Sequence, residues 1–269
     1  SVATLNVRGI LNDDKRRILF NYLKGLKFDI YLIQEAHCTD NKVREKFCFH
    51  WCQRRDRVYS KFTCFRTTRL GAPARGVGIL LNPKSEVYFT DDEDLIDANG
   101  RYITTSVRKG EELFNVCCVY GPNDAAARAD FFETLCDRLY DWSSTLQVNL
   151  DRVWVIGGDF NIAPDPALDR LDGPTASGSN ADLRAFQTFC SSLGVADLWR
   201  RDNPTDRQFT WTSANAMRAA RLDFFLVSAD SAGEVNMSHQ FFRGLDHRLV
   251  SLRLGSPDGV ERGPGYWLF

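Results

Sequence analysis

The chain contains 269 residues and carries a formal net charge of −1, with 43% apolar and 26% charged residues. This composition is typical of globular domains, and no apolar run reaches the ~18 residues that a membrane span needs. We therefore expect a globular domain that does not enter a membrane.

The first half of the chain reads mainly as short apolar strands. One early helix is expected, and Asn12 is a suitable residue to cap its first turn. In chain order the pattern predicts a strand, that helix and five further strands at 3–7, 13–26, 29–34, 76–81, 86–90, 102–107 and 113–120.

The second half opens with the clearest helix, 124–143, because Phe131, Leu135, Leu139 and Trp142 recur at helical spacing. The elements predicted after it are a strand at 152–156, a loop at 164–180, a helix at 183–193 and strands at 209–212, 222–227, 237–242 and 249–254. Strands outnumber helices, and the helices fall between groups of strands. The fold class is therefore α/β: a four-layered α/β sandwich with two packed, mainly antiparallel β-sheets flanked by helices.

Eight cysteines in a chain of this length do not indicate a disulfide framework. Neighbouring Cys117 and Cys118 lie in a predicted strand, which suits buried thiols in a reducing compartment. A second cluster combines histidines and cysteines that could be read as a zinc site: His37, Cys38, Cys48, His50 and Cys52. Its spacings are not those of structural zinc sites, so free thiols are the favoured interpretation.

The charge of the chain is unevenly distributed. Residues 42–75 hold ten Lys and Arg side chains against Glu45 and Asp56, a local charge of +8, and aromatic residues such as Trp51, Tyr59, Phe62 and Phe65 are interleaved with them. Such a segment suits a surface that meets a phosphate backbone, but a solvated basic face explains the charge equally well.

The strongest chemical signal is the run Gly157-Gly158-Asp159-Phe160-Asn161, directly after an apolar strand. Glycines let the backbone approach a substrate closely, and alternate residues of extended chain point the same way. Asp159 and Asn161 are thus placed to face one substrate. The alternative is that both merely shape a turn.

Other polar residues also lie at the ends of predicted strands, where ligands collect in an open sheet. Glu35 follows the second strand and is the natural ligand for Mg²⁺, which prefers one or two carboxylates, although an acidic residue at a strand end is more often solvated surface. Asn6 lies late in the first strand, where an Asn is by itself a weak signal because it is usually a turn residue. Tyr120 and Asn123 follow another strand and could bind phosphate, although the alternative is a turn in which Asn123 or Asp124 caps the next helix.

The last candidates are Asp223 and the pair Asp246-His247. A carboxylate that accepts from one imidazole nitrogen fixes the tautomer and leaves the other nitrogen to take a proton from water. Asp223 with His247 is the predicted pair, although a lone histidine is more often structural.

The order of these residues resembles the endonuclease/exonuclease/phosphatase superfamily, which includes pancreatic deoxyribonuclease, apurinic endonucleases and inositol polyphosphate phosphatases. The resemblance covers essentially 4–254. Details are similar to the endonuclease domains of LINE-type (non-LTR) retrotransposons, namely Thr4-Leu5-Asn6-Val7-Arg8-Gly9, Phe209-Thr210-Trp211 before Arg221-Leu222-Asp223, and the tail Arg262-Gly263-Pro264-Gly265-Tyr266-Trp267.

The resemblance implies a role for each candidate residue. Glu35 and Asp246 would hold Mg²⁺, for which Mn²⁺ could substitute, with Asn6 beside the metal. Asp159 would activate water or protonate the leaving oxygen, and Asp223 would orient His247. Residues implied to contact phosphate or DNA are Tyr120, Asn123, Asn161, Thr210, Arg218 and His247.

Two local features concern substrate choice and rate. Residues 212–220 resemble the hairpin that retrotransposon endonucleases present to the minor groove, although a plain surface hairpin fits equally well. Leu245 stands where the superfamily usually has Ser, so a phosphate or backbone contact is expected to be missing and the rate to be altered.

The resemblance thus predicts a DNA endonuclease domain at 1–255 and a linker at 256–269 toward a reverse transcriptase. Its nick would leave a 3′-hydroxyl that primes reverse transcription, with double-stranded DNA, a reverse transcriptase and element RNA as partners in the nucleus. The alternatives are an apurinic repair endonuclease of the same fold and a catalytically silent DNA-binding module. The basic segment disfavours a lipid or inositol phosphatase.

Overall fold

A computed structural model describes residues 1–65, 74–146, 152–171, 180–242 and 244–255. The helices are α1 (Asp13–Leu26), α2 (Asn41–Trp51), α3 (Ala125–Ser144), α4 (Ala181–Leu193) and α5 (Leu198–Asp202). The strands are β1 (Val2–Asn6), β2 (Ile30–Gln34), β3 (Ser60–Phe62), β4 (Gly78–Leu81), β5 (Val87–Phe89), β6 (Leu95–Ile96), β7 (Tyr102–Lys109), β8 (Glu112–Tyr120), β9 (Arg152–Asp159), β10 (Val195–Asp197), β11 (Trp211–Thr212), β12 (Ala219–Ala220), β13 (Asp223–Ser228), β14 (Gly233–Phe241) and β15 (Arg248–Leu254).

Two large sheets form the centre of the molecule. The first has the strand order β14-β15-β1-β2-β4-β3, and the second has the order β10-β13-β9-β8-β7-β5, with β6 paired to β7. The pairs β1–β2 and β8–β9 are parallel, and the other pairs within these sheets are antiparallel. Strands β11 and β12 form a separate hairpin.

The strand residues alternate between two hydrophobic layers, as a pleated strand requires. In β2, Leu32 points between the sheets, and Tyr31 and Ile33 point outward beneath α1 and α2. A third cluster joins the outer face of the second sheet to α3 and α4. The order of layers is therefore helices, sheet, sheet, helices, which confirms the predicted four-layered α/β sandwich.

The helix caps follow the sequence closely. The side chain of Asn12 accepts from the backbone N–H of Lys15, and that of Asp124 accepts from Ala127, so each fills an unpaired donor at a helix start. In α3 the buried face contains Phe132 rather than the predicted Phe131. In the described part of the chain, no helix combines the length and apolarity that a membrane crossing requires.

Several elements were not predicted. Helix α2 runs through the basic segment, and its buried face is reduced to Phe47 and Trp51, too few residues to give a clear helical period. The short elements β3, β6, β10, β12 and α5 were also missed, and β9 continues to Asp159 instead of stopping at Ile156. The predicted linker 256–269 lies outside the described residues.

The topology brings many strand ends to one edge of the sandwich. The parallel strands β1 and β2 end together at Asn6 and Gln34, and β8 and β9 end together at Tyr120 and Asp159. Strand β13 runs antiparallel to β9 and begins at Asp223, opposite Asp159. Strand β15 runs antiparallel to β1, so it begins at this edge as well.

Candidate active site

Close backbone packing at the end of β9 explains why residue 158 is a glycine. A Cβ atom on Gly158 would lie 1.9 Å from the carbonyl oxygen of Val119 on β8. The backbone then turns at Asn161, whose φ of 53° is unusual for a non-glycine residue. Phe160 between them points into the core and stacks on Phe224 at 4.3 Å, which anchors this strand end.

Asp159, Asp223 and His247 meet at this edge, all with less than a tenth of their surface exposed. The imidazole Nδ1 of His247 lies 2.9 and 3.1 Å from the two carboxylate oxygens of Asp223. Its Nε2 lies 3.8 Å from Oδ2 of Asp159. The predicted pair of Asp223 and His247 is therefore formed, and the free nitrogen of the ring faces Asp159.

The protonation of this group follows from its surroundings. Burial lowers the pKa of His247, but the carboxylates of Asp223 and Asp159 outweigh burial and raise that pKa to about 10. Burial, together with the charge of Asp223, raises the pKa of Asp159. The two neighbouring carboxylates thus favour the protonated ring of His247, and burial beside Asp223 favours the neutral form of Asp159.

Asn6 connects the two sheets at this edge. Its Nδ2 donates to Oε1 of Glu35 at 2.8 Å and to Oδ2 of Asp159 at 3.0 Å. Since one oxygen of Glu35 and one oxygen of Asp159 accept from the same nitrogen, the two carboxylates lie close together.

Glu35 remains ionised in this setting. Burial raises its pKa, but the nearby polar side chains of His37, Asn6 and Tyr120 bring it down to about 2. The Nε2 of His37 lies 3.7 Å from Oε2 of Glu35. His37 was considered only as a zinc ligand; its position two residues after Glu35 was the available signal for this contact.

Asp246 has one engaged oxygen and one free oxygen. Its Oδ2 accepts from Nη1 of Arg8 at 3.0 Å and from the indole Nε1 of Trp211 at 3.1 Å. Its Oδ1 is buried and has no hydrogen-bond partner. A buried carboxylate oxygen without a partner destabilises the folded protein unless a cation or a hydrogen-bond donor binds it.

The phosphate-binding candidates line the same cleft, which has a volume of about 490 Å³. Nδ2 of Asn161 donates to the carbonyl oxygen of Gly121, and Arg128 donates to the carbonyl oxygens of Pro122 and Asn123. These bonds hold the loop after β8. The side chains of Tyr120, Asn123, Asn161 and Arg218 all border the cleft.

The residues present fit a divalent cation. Asp159, Asp223 and His247 have ligand atoms within 4.8 Å of one another, but both oxygens of Asp223 are engaged by His247. Two further carboxylates border the cleft and would accept a metal: Glu35, which is ionised, and Asp246, which offers its unpartnered Oδ1. Such an oxygen set suits Mg²⁺ or Mn²⁺.

Thr210 is placed differently from the prediction that it contacts DNA. Its side chain is fully buried, and its hydroxyl donates to Oδ2 of Asp223 at 2.6 Å while accepting from the backbone N–H groups of Leu222 and Asp223. Because a buried side chain cannot reach DNA, Thr210 acts by orienting Asp223.

The segment 212–220 forms the predicted hairpin. Its strands pair at Trp211–Ala220 and Thr212–Ala219, and Arg218 extends from it to the cleft. At the turn, Met217 is 73% exposed. The hairpin therefore stands beside the site.

Several cations of the described part of the basic segment are engaged by neighbouring side chains. Lys46 pairs with Asp13, Arg54 with Asp56, and Lys61 with Asp94. Arg57 stacks between the rings of Tyr59 and Tyr88. Two other cations, Arg66 and Arg69, lie outside the described residues.

Two other expectations can be compared with the structure. Among the described residues, the one group of three or more potential ligands at metal-binding distance is Asp159, Asp223 and His247, so the cluster around His37 and Cys38 does not form a zinc site. Leu245 is buried in the core with its backbone N–H bonded to Phe242, so the residue leaves no unpaired donor.

Known proteins share this sequence pattern and fold. The sequence model of the endonuclease/exonuclease/phosphatase family matches residues 3–247. The chain is similar in structure to the catalytic domain of Xenopus laevis APE2, with a TM-score of 0.69, 20% sequence identity, and coverage of 94% of this chain and 91% of that one. An AP endonuclease from Archaeoglobus fulgidus gives a TM-score of 0.67 at 21% identity, covering 95% and 99% of the two chains. A 3′-5′ exonuclease from Neisseria meningitidis gives 0.65 at 19% identity, covering 94% and 98%.

Proposed function

The chain belongs to the endonuclease/exonuclease/phosphatase family, and we propose that it is a Mg²⁺-dependent DNA endonuclease that nicks one strand by hydrolysing a phosphodiester. The observation that carries this proposal is that Asp159 and His247, which Asp223 supports from behind, border one cleft with Glu35 and Asp246. A divalent cation held by Glu35 and Asp246 would supply charge neutralisation for the phosphate in the transition state.

The protein side chains have distinct tasks in this reaction. Asp223 fixes the His247 ring through Nδ1, so the protonated Nε2 is free to donate to a non-bridging phosphate oxygen. Asp159 has a raised pKa and accepts a proton from the attacking water. Asn6 keeps Asp159 and Glu35 on the same side of the phosphate.

DNA is the preferred substrate for two reasons. Arg170 and Arg218 border the cleft and can meet the backbone phosphates on either side of the cut. The hairpin 211–220 stands beside the cleft, where it would contact an extended duplex beyond the reach of a small phosphate ester. The similarity to a Neisseria meningitidis 3′-5′ exonuclease and to AP endonucleases supports this choice.

The biological setting is also part of the proposal. The motifs at 4–9, 209–211 and 262–267 resemble LINE-type elements, so the nick would leave a 3′-hydroxyl that primes reverse transcription. The endonuclease domain would comprise 1–255, with 256–269 as the linker. Its partners would be double-stranded DNA, a reverse transcriptase and element RNA, in the nucleus.

Nicking of supercoiled plasmid tests the activity. The wild-type protein should produce open circles with Mg²⁺ and none with chelator. Glu35→Gln should reduce the rate by about 10²- to 10³-fold because the metal loses a charged ligand. Asp29→Asn is the matched control, since Asp29 precedes β2 at the opposite end from Glu35. Nicking that persists in chelator would contradict the proposal.

A second candidate is an apurinic repair endonuclease, because similar solved structures are AP endonucleases. Duplex oligonucleotides with and without one abasic site separate the two candidates. A retrotransposon-type nickase should cut both at comparable rates, and a repair enzyme should strongly prefer the lesion. DNA binding without cleavage in Mg²⁺ or Mn²⁺ would instead indicate a silent binding module.

A further inference from the structure

Residues 210–212 contact two of the acidic groups in the site. The Thr210 hydroxyl donates to Asp223, and the Trp211 indole donates to the carboxylate of Asp246. The backbone N–H of Thr212 donates to the carbonyl oxygen of Asp246 at 3.1 Å. This short segment therefore determines where both carboxylates point.

The backbone of the segment is fixed on two sides. Trp211 pairs with Ala220 across the hairpin and with His247 on the other side. The N–H of Arg248 donates to the carbonyl oxygen of Thr210 at 2.7 Å. Because hydrogen bonds hold the backbone from both directions, the indole has a defined position relative to Asp246.

The two donors on Asp246 differ in rigidity. The side chain of Arg8 is 55% exposed and long, so its contact is easily exchanged for water or phosphate. Trp211 is half-buried and has two side-chain torsions. The Trp211 indole is thus the more rigid of the two donors. It holds Oδ2 of Asp246 and leaves the buried Oδ1 available for a ligand.

We propose that Trp211 is a positioning residue for the metal: its indole N–H fixes Asp246 so that Oδ1 faces the cation. The proposal rests on the proposed metal-dependent function. Its energetic basis is that outer-shell donors orient a ligand before the metal arrives, which lowers the cost of binding. The hairpin is then the support for a metal ligand as well as a surface beside the cleft.

The test measures Mn²⁺ binding to the DNA-free protein by calorimetry. Trp211→Phe keeps an aromatic ring and removes the N–H, so the dissociation constant should rise on the order of ten-fold. The matched control is Trp142→Phe, since the Trp142 indole donates to the carbonyl oxygen of Glu93 outside the cleft. The control should bind Mn²⁺ as the wild type does.

Plasmid nicking over a Mn²⁺ series supplies the second measurement. At saturating Mn²⁺, Trp211→Phe should approach the wild-type rate, because the missing N–H affects occupancy and not the reacting groups. Unchanged Mn²⁺ affinity in Trp211→Phe, an equal loss in Trp142→Phe, or a low rate at every Mn²⁺ concentration would overturn the proposal. An inactive wild-type protein would reject the proposed function, while calorimetry would still decide the role of Trp211.

Discussion

Two buried groups of charged residues lie on either side of Leu222, and they differ in whether cations balance their carboxylates. On one side, Arg221 donates two hydrogen bonds to Asp169 and lies 2.7 Å from Asp197. Arg200 pairs with Asp169 as well. Two cations therefore balance two carboxylates.

On the other side, Asp223 belongs to a group with excess negative charge. Asp159 and Asp223 share one imidazole, and Glu35 and Asp246 face the same cleft. The exposed Arg8 is the cation that contacts Asp246 among the described ion pairs. The balanced cluster leaves no net buried charge, whereas the cluster at the cleft keeps carboxylates that a divalent cation would neutralise.

The largest effect is expected at His247. His247→Gln should reduce plasmid nicking by about 10³-fold, because it removes the proton donor between Asp159 and Asp223. The matched control is His50→Gln, since His50 accepts from Arg16 away from the cleft. A wild-type nicking rate in His247→Gln would contradict the assignment of this group to the reaction.

The balanced group should control stability. Asp169→Asn should lower the free energy of unfolding by about 3–5 kcal/mol, because it leaves Arg221 buried with a lost partner. Denaturant unfolding measures this change. A folded variant that loses stability but nicks plasmid at the wild-type rate would show that this group serves stability alone. Unchanged stability would contradict that role.

The same group predicts an acid dependence. Burial raises the pKa of Asp169, but Arg221 and Arg200 lower it below the ordinary value of 3.8. A lowered pKa in the folded state contributes stability above the unfolded pKa, and this contribution is lost as the pH falls through the folded value. Denaturant unfolding at a series of pH values should therefore show less acid-dependent loss in Asp169→Asn than in the wild type below about pH 4.

A smaller effect is expected at Thr210. Thr210→Val removes the hydroxyl that orients Asp223 and should reduce nicking by about ten-fold while leaving DNA affinity unchanged. Thr105→Val is the control, because it removes a buried hydroxyl that bonds Lys61. A loss of DNA affinity in Thr210→Val would contradict the positioning role.

The smallest effect is expected at Arg218. Arg218→Ala should weaken duplex binding a few-fold and reduce its salt dependence by about one phosphate contact. Arg184→Ala removes a similarly exposed arginine from α4 and should change neither. Binding titrations at several salt concentrations provide the measurement.

Sequence reasoning recovered the layers and the strand-end residues because both depend on local patterns. Apolar alternation gives the strands, and polar residues such as Glu35 and Asp159 stand out where that alternation ends. Helix α2 was missed because its apolar face is small.

The rest of the site depends on contacts between distant segments. The sequence distance between Trp211 and Asp246 hides their hydrogen bond, and the burial of Thr210 requires the hairpin and β13 to pack together. Nothing in the composition of Arg221-Leu222-Asp223 distinguishes the arginine of the balanced group from the carboxylate that orients His247. The roles of these two residues depend on the side chains that they contact, and those contacts form only in the folded protein.

Asp159→Asn, compared with the wild type in both nicking and unfolding, tests most directly whether the two buried groups have different roles. Removing a carboxylate from the unbalanced group should abolish most Mg²⁺-dependent plasmid nicking and raise the free energy of unfolding of the metal-free protein by roughly 1–3 kcal/mol. The opposite sign from Asp169→Asn would show that one group serves chemistry and the other stability. Retained nicking or a less stable Asp159→Asn would contradict the account.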